Sequence, residues 1–321
     1  MFALPTYASA DEAVVSTYGD LLTHGVPAHP RGIDTLELVP YGFVLSNPRA
    51  RCLTLPVRKW SFALALGELC WHLGASTDLS FIAWYAERWR NFSDNGQTID
   101  GSCYGRHIFA PDAAGRSQWS GLLDTLRRDP MSRRAVLSLS QEAAALTGDT
   151  RDTSCVLTLQ FLIRGGALDL IASLRSNDAH HGLPYDLFLF TMLQELVALS
   201  LGVPLGRYIH LAGSMHLYQE HVETCSALSR GAVPPPIGMA TMSDIDAIGN
   251  FLAVEARLRS GTPVDLTGLP EYWRELAEVL DWFASAKRAT TAQRGLKAPG
   301  NPFYARLVAQ GPKPRRLNAM L

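Results

Sequence analysis

Apolar and polar positions alternate along the chain in several distinct rhythms. Residues 59–74 (KWSFALALGELCWHLG) are apolar on nearly every face and end at Gly74, which predicts a mostly buried helix. A second helix is predicted over 77–92, opening at the candidate cap Ser76 or Thr77, and the SDNGQTIDG stretch after it reads as a surface loop. Arg133 to Ser140 alternates as a strand. The apolar runs 155–164 and 167–175 are joined by Gly165-Gly166, a strong hairpin signal. SNDAHHGLP reads as a loop, 185–202 as a long buried helix, 206–218 as a returning strand and 270–288 as a further helix. Strand pairs mixed with long central helices predict an α/β or α+β domain with one large sheet. Two of its strands are apolar at nearly every position, so both faces of the sheet are expected to be covered, one of them by a partner subunit.

Composition narrows the class. No repeat or low-complexity linker interrupts the 321 residues, which read as one domain spanning 1–321. Apolar residues make up 47% and charged residues 18%, below the roughly one quarter usual for charged residues. That balance excludes disorder, coiled coil and collagen, and points to surface hidden in an interface. A net charge of -1 argues against a general nucleic-acid footprint. Of the 29 basic residues only Lys59, Lys287, Lys297 and Lys313 are lysines; codon bias explains most of the arginine excess, with a few forks left for phosphate or carboxylate. The five cysteines form no CxxC pair and no zinc spacing, so no metal is expected and a reducing compartment fits. The first residues lack a basic n-region, and the longest apolar stretch is broken by Asp186, Gln194 and Glu195. Both features predict a soluble, cytoplasmic protein with no membrane span.

Two places hold candidate chemistry. Cys155 follows the polar run TGDTRDTS at a loop-to-strand junction, where a nearby arginine favours a thiolate; the bland alternative is a small core residue, as expected for the other four cysteines. Arg175 and Ser176 end a strand and open a loop, as an ordinary hairpin end or as donors to an anion. Arg133-Arg134 head another strand. Neighbours on a regular strand point to opposite faces, so a shared anion requires an irregular strand or a second subunit.

Taken in order, Arg133-Arg134, Cys155, Gln160-Phe161, Arg175-Ser176-x-Asp178, Gly182-x-Pro184 and His210…Gly213-x-x-His216-x-Tyr218 resemble the thymidylate synthase family. Glu68-Leu69-x-Trp71-x-x-Gly74, Tyr104-Gly105 and Arg31 extend the likeness upstream, over roughly residues 20–230. Residues 231–321 are divergent. The resemblance implies a large mixed sheet with long central helices and a sheet face buried in a homodimer. It further implies that Cys155 adds to C6 of a pyrimidine nucleotide and that C5 then takes a one-carbon unit from 5,10-methylenetetrahydrofolate, a co-substrate. Glu68 would move protons. Arg31, Arg175 and Ser176 would hold the 5′-phosphate, joined across the dimer by Arg133 and Arg134. His216 and Tyr218 would bind the sugar, and Asp178, Gly182, Tyr104 and Trp89 would complete the pocket.

Departures from the family pattern refine the expectation. Asp186 stands where members acting on uracil carry Asn; an ionised Asp only accepts hydrogen bonds, so a match to cytosine needs a proton on Asp186 or on the base. The alternative is a carboxylate acting only on its helix dipole. Val156 replaces the usual His after the cysteine, Thr153-Ser154 the usual Pro-Pro, and Ser214 the usual Asp. The end of the chain, KPRRLNAML, lacks the apolar tail that closes the family's site over folate, and Lys297-Ala298-Pro299 is its weak match. A site that admits water is expected to yield a 5-hydroxymethyl product, the reaction of the family's cytidylate hydroxymethylases in phages and nucleoside-antibiotic pathways. Ser176 and Arg133 follow the deoxynucleotide pattern. The expected substrate is therefore CMP or dCMP, with methylation of dUMP or dCMP, or a silent nucleotide-binding homologue, as alternatives.

Overall fold

The computed structural model describes residues 3–139, 148, 150–289 and 296–314. Its strands are β1 (Thr6–Tyr7), β2 (Val26–Ala28), β3 (Thr35–Leu38), β4 (Tyr41–Leu45), β5 (Val136–Ser138), β6 (Val156–Arg164), β7 (Ala167–Leu174), β8 (Asn177–Asp178), β9 (Leu205–Ala212) and β10 (Met215–Tyr218). They form two sheets rather than one: a six-stranded sheet in the order β1-β4-β9-β7-β6-β5 and a four-stranded sheet in the order β2-β3-β10-β8. The predicted strand over 206–218 breaks at Gly213-Ser214, and its halves β9 and β10 join different sheets.

The β6–β7 hairpin turns on Gly165 and Gly166, both at positive φ (58° and 80°), the left-handed pair that a two-residue turn of this hand requires. The β5 strand is shorter than predicted. Arg133 and Arg134 precede it outside the ladder, which supplies the irregularity that two adjacent arginines need to act together, and Ser140 lies outside the described residues.

The helices are α1 (Ala10–His24), α2 (Phe62–Leu73), α3 (Leu79–Tyr85), α4 (Tyr104–Phe109), α5 (Gln118–Arg128), α6 (Gly182–Leu201), α7 (Val222–Ser229), α8 (Ile248–Ser260), α9 (Glu271–Arg288) and α10 (Pro302–Gln310). Ser61 caps α2 by accepting from the Leu64 N–H, and Gly74 ends it. The predicted 77–92 helix is instead α3, capped by Asp78, followed by a 3-10 turn over Glu87–Asn91. Extended backbone at Ala86 makes the break, and Trp89 turns inward onto Trp71, with ring centroids 5.3 Å apart. Helix α6 is long and apolar enough to cross a membrane by length and composition, but 83% of that window is buried against the rest of the molecule. It is the central core helix.

One register row of the large sheet, Leu137–Leu159–Ala172–His210–Phe43, is fully buried under the helices. The adjacent row, Val136–Gln160–Ile171–Ile209–Val44, is only partly covered, and Leu211 is 36% exposed one row on. Within a single chain the second sheet face therefore stays open, the face for which a partner subunit is the expected cover. The buried apolar side chains form one connected cluster, reaching from Ala10 in α1 to Val308 in α10.

Candidate active site

Cys155 stands immediately before β6. Its carbonyl accepts from the Arg175 N–H (2.9 Å), adding a rung to the β6–β7 ladder, and a register shift between Val156 and Thr158 bends the strand behind it. Arg175 closes this turn. Its Nε donates to the Ser154 carbonyl (2.8 Å), its Nη2 to the Thr153 carbonyl (3.1 Å), and Nη2 lies 3.8 Å from Cys155 Sγ. Thr153 and Ser154 thus serve Arg175 through their carbonyls. Val156 points into the core. Burial pushes the Cys155 thiol up; Arg175 and Arg31 pull it down, while Asp186 and Asp178 raise it further. A neutral Asp186 consequently eases thiolate formation.

A group of polar side chains surrounds this cysteine. The Ser176 hydroxyl is 3.4 Å from His216 Nδ1, and β8 and β10 pair in parallel with His216 opposite Asp178. Arg31, exposed on a tight turn at φ 54°, acts on the Tyr218 phenol by charge and hydrogen bond. Arg31, Arg175, Ser176, His216 and Tyr218 therefore converge near Cys155, as the sequence predicts. Arg133 and Arg134 do not. Both are exposed at the open edge of the large sheet, where the Arg133 carbonyl accepts from the Gln160 amide (3.0 Å).

Two carboxyls, the buried Glu68 and the half-buried Asp186, complete the pocket. Burial raises Glu68, on α2, to about 8; the charge of Arg88 and the nearby Trp89 indole oppose the shift, and the charge of Asp186 adds to it. Asp186, in the second turn of α6, is pushed up to about 7 by burial, against a bond from Asn177 and with help from Asp178. Asn177 Nδ2 donates to Asp186 Oδ2 at 2.7 Å. Gly182 leaves room for that bond, because a Cβ there would come within 3.0 Å of Asn177 Nδ2. Asp178 Oδ1 accepts the backbone N–H groups of His180 (2.7 Å) and His181 (3.0 Å), fixing the turn into α6.

Tyr104 stacks on His72 with ring centroids 5.1 Å apart. Glycine at 105 is obligatory for that approach, since a Cβ would sit 1.8 Å from the His72 carbonyl oxygen. Burial and the charges of Asp186, Cys155, Asp152 and Glu68 all resist ionisation of Tyr104, so this phenol borders the whole cluster.

Several contributors escape sequence reading. Asn177 lies inside the Arg175-Ser176-x-Asp178 motif, but its bond to Asp186 appears only when β8 meets α6. Asp152 accepts from the Gly101 (2.6 Å) and Ser102 (2.8 Å) N–H groups, tying the approach to Tyr104 to the turn before Cys155. Ser214 donates to Glu37, a carboxylate that acts on His216. Nothing in their local sequence marks Asp152 or Glu37.

Beside Glu68 opens a cavity of ≈ 610 Å³ lined by aromatic Tyr85, Tyr185 and Phe283 and by cationic Lys59, Arg88, Lys287 and Lys313. Aromatic walls with a cationic rim suit a flat heteroaromatic ring carrying an anionic tail, the chemistry of a folate. Pro312, Lys313 and Pro314 close one side. Lys297 instead lines a separate cavity with Gly261 and Asp281, which removes the tail match expected at Lys297-Ala298-Pro299. The rest of the terminal sequence, 315–321, lies outside the described residues.

A cysteine among arginines, facing two carboxyls and a cavity with aromatic walls and a cationic rim, marks this cleft as the candidate active site. The family model described as "Thymidylate synthase" matches residues 16–255, and the chain belongs to that family. The match covers α1 to most of α8 and leaves α9 and α10 outside. Among curated relatives, the "Deoxyuridylate hydroxymethyltransferase" of Bacillus phage SP01 is 28% identical over 226 residues, 66% of this chain and 59% of the relative. That of Pseudomonas phage M6 is 31% identical over 208 residues, 63% and 57%. The chain spans under three fifths of the length of these relatives. A thermostable thymidylate synthase A from Bacillus subtilis shares the fold, with a TM-score of 0.59 at 24% identity over 70% of this chain and 86% of that one.

Proposed function

We propose that this protein is a folate-dependent cytidylate 5-hydroxymethylase acting on CMP or dCMP. The observation that carries the reading is Asp186, pushed up to about 7 and bonded at Oδ2 by Asn177 Nδ2. A neutral carboxyl offers one donor and one acceptor. Because Oδ2 already accepts from Asn177, the acidic proton belongs on Oδ1. Oδ1–H then donates to cytosine N3, and Oδ2 accepts from the N4 amino group. Uracil would set its N3–H against Oδ1–H and its O4 against the Oδ2 lone pairs, two mismatches at one edge.

In this reading Arg31, Arg175 and Ser176 bind the 5′-phosphate, and His216 and Tyr218 the sugar. Cys155 Sγ adds to C6, breaking the C5=C6 double bond and making C5 nucleophilic. Methylenetetrahydrofolate supplies the one-carbon unit and leaves as tetrahydrofolate. Glu68, protonated near neutral pH, gives and takes protons as C5 loses its hydrogen. Water then adds to the exocyclic methylene on the nucleotide, Cys155 leaves, and no folate is oxidised. The names of the two phage relatives support hydroxymethyl transfer, and the phosphate-side arginines Arg31 and Arg175 would supply remote binding energy for orienting the ring.

We also infer a cytoplasmic homodimer of single-domain chains. The half-apolar open sheet face supports it, as do Arg133 and Arg134, which stand free at its edge to reach the partner's phosphate site. A second reading, hydroxymethylation of dUMP, is favoured by the names of the two phage relatives. A panel of CMP, dCMP, UMP and dUMP with methylenetetrahydrofolate, read by product mass, separates the two. Hydroxymethylated cytidylate without dihydrofolate absorbance is expected; a methylated product or a preference for uracil overturns the proposal.

A further inference from the structure

Two adjacent imidazoles and a third from 40 residues further on meet beside the turn into α6. His180 and His181 precede Gly182, and His221 immediately precedes α7. One ring nitrogen from each lies within 4.8 Å of the others. His181 Nε2 and His221 Nε2 are 3.0 Å apart, and the His180 and His221 rings stack at 4.1 Å between centroids. His180 is buried, while His181 and His221 are half-buried with an opening to solvent. Glu220 Oε1 lies 3.5 Å from His221 Nε2, and Cys225 Sγ lies 3.5 Å from His180 Nδ1.

We propose that His180, His181 and His221 bind one zinc-class divalent transition-metal ion, with Glu220 or water as fourth ligand. Neutral imidazole nitrogens are the preferred donors of such ions. Tetrahedral bonds of about 2.0–2.1 Å put neighbouring donor nitrogens about 3.3 Å apart, close to the His181–His221 spacing. Cys225 sits behind His180 Nδ1, where an outer-shell group orients a ligating ring.

The protons specify how the ion enters. Arg88 Nη1 lies 3.0 Å from His181 Nδ1, and arginine only donates, so Nδ1 accepts and His181 carries its proton on Nε2. That proton points at His221 Nε2. To ligate through Nε2, His181 must move its proton to Nδ1, which evicts Arg88. Metal and Arg88 therefore compete for one imidazole. Because the Asp178 carboxylate accepts the N–H groups of His180 and His181, an ion here staples the turn below the nucleotide pocket to α7.

Chelator-stripped full-length protein is titrated with Zn²⁺ against a chromophoric chelator, and with Co²⁺ by absorption. One ion per chain is expected, with the intense visible bands of tetrahedral cobalt and a metal-dependent rise in Tm. His221→Gln and His181→Gln should each weaken zinc by more than the roughly 10–100-fold typical of losing an outer-shell partner. Arg88→Met, a change at an exposed side chain, should tighten it. Absence of stoichiometric zinc, or unchanged affinity in folded histidine variants, overturns the proposal. If those variants misfold, unchanged or weaker affinity in Arg88→Met overturns it alone.

Discussion

The two walls of the cleft are built differently. On the nucleotide side, Cys155, Arg175, Ser176 and Asp178 lie within one strand–turn–strand path, locked by backbone hydrogen bonds on β6, β7 and β8. On the cavity side, Lys59, Arg88, Lys287 and Lys313 arrive from four separate segments, and Arg88 and Lys59 are exposed. The first wall can hold reacting atoms to a fraction of an ångström; the second offers charge without fixed geometry. In the proposed function, bond-making chemistry is therefore assigned to the first wall and co-substrate affinity to the second.

The largest effect expected from this contrast is at Cys155. Cys155→Ser should lower kcat on the order of 10⁴-fold or more, as for removal of a covalent nucleophile, while leaving nucleotide affinity nearly unchanged in equilibrium binding. Retained turnover would take the cysteine out of the mechanism.

Next comes Asn177. Replacing it by Leu removes the donor that keeps the Asp186 proton on Oδ1, and cytosine-over-uracil preference should fall about tenfold, the worth of one hydrogen bond to a polar partner. A ratio of kcat/KM values identical to wild type would show that Asn177 does not set the tautomer.

A third test uses pH. Asp186 is raised from an ordinary 3.8 to about 7, so the folded state binds more protons than the unfolded chain between those values. Its contribution to stability falls as pH rises through that window. Asp186→Asn should accordingly gain stability relative to wild type from about pH 4 to pH 7, and hold that gain above it. Paired thermal melts across this range check the slope, and parallel curves would mean that Asp186 is not held neutral.

The smallest effects belong to the cavity rim. Lys287→Met or Lys313→Met should raise the folate KM only a few-fold, as for exposed or partly exposed ion pairs, with kcat and nucleotide KM unmoved. A loss in kcat would place these lysines in the chemistry instead.

How much of this was legible beforehand follows the same division. The hairpin at Gly165-Gly166 and helix α6 could be read because short-range pattern fixes them, whereas the convergence from Cys155 to Tyr218 was implied only by the family resemblance. The 206–218 strand could not, because its break at Gly213 depends on which sheet each half joins. Helix α3 stops at Tyr85 because Ala86 is extended and Trp89 packs on Trp71, a tertiary contact with no local signal. How the C-terminal segment approaches the site was not legible: Lys297-Ala298-Pro299 offered only a weak match, and Pro312–Pro314 reach the cavity because α9 and α10 decide where the chain returns. The three-histidine cluster was likewise invisible: His221 lies 40 residues beyond His181, and only the packing of α7 on the turn before α6 joins it to the His180-His181 pair.

The central claim is that Asp186 selects the base, and it is tested most directly by kcat/KM for dCMP against dUMP in wild type and Asp186→Asn, measured in competition by product mass. Wild type should prefer cytosine and the variant should move toward uracil by at least about 100-fold, as when a buried hydrogen-bonding site meets the wrong edge. An unchanged ratio would contradict the assignment.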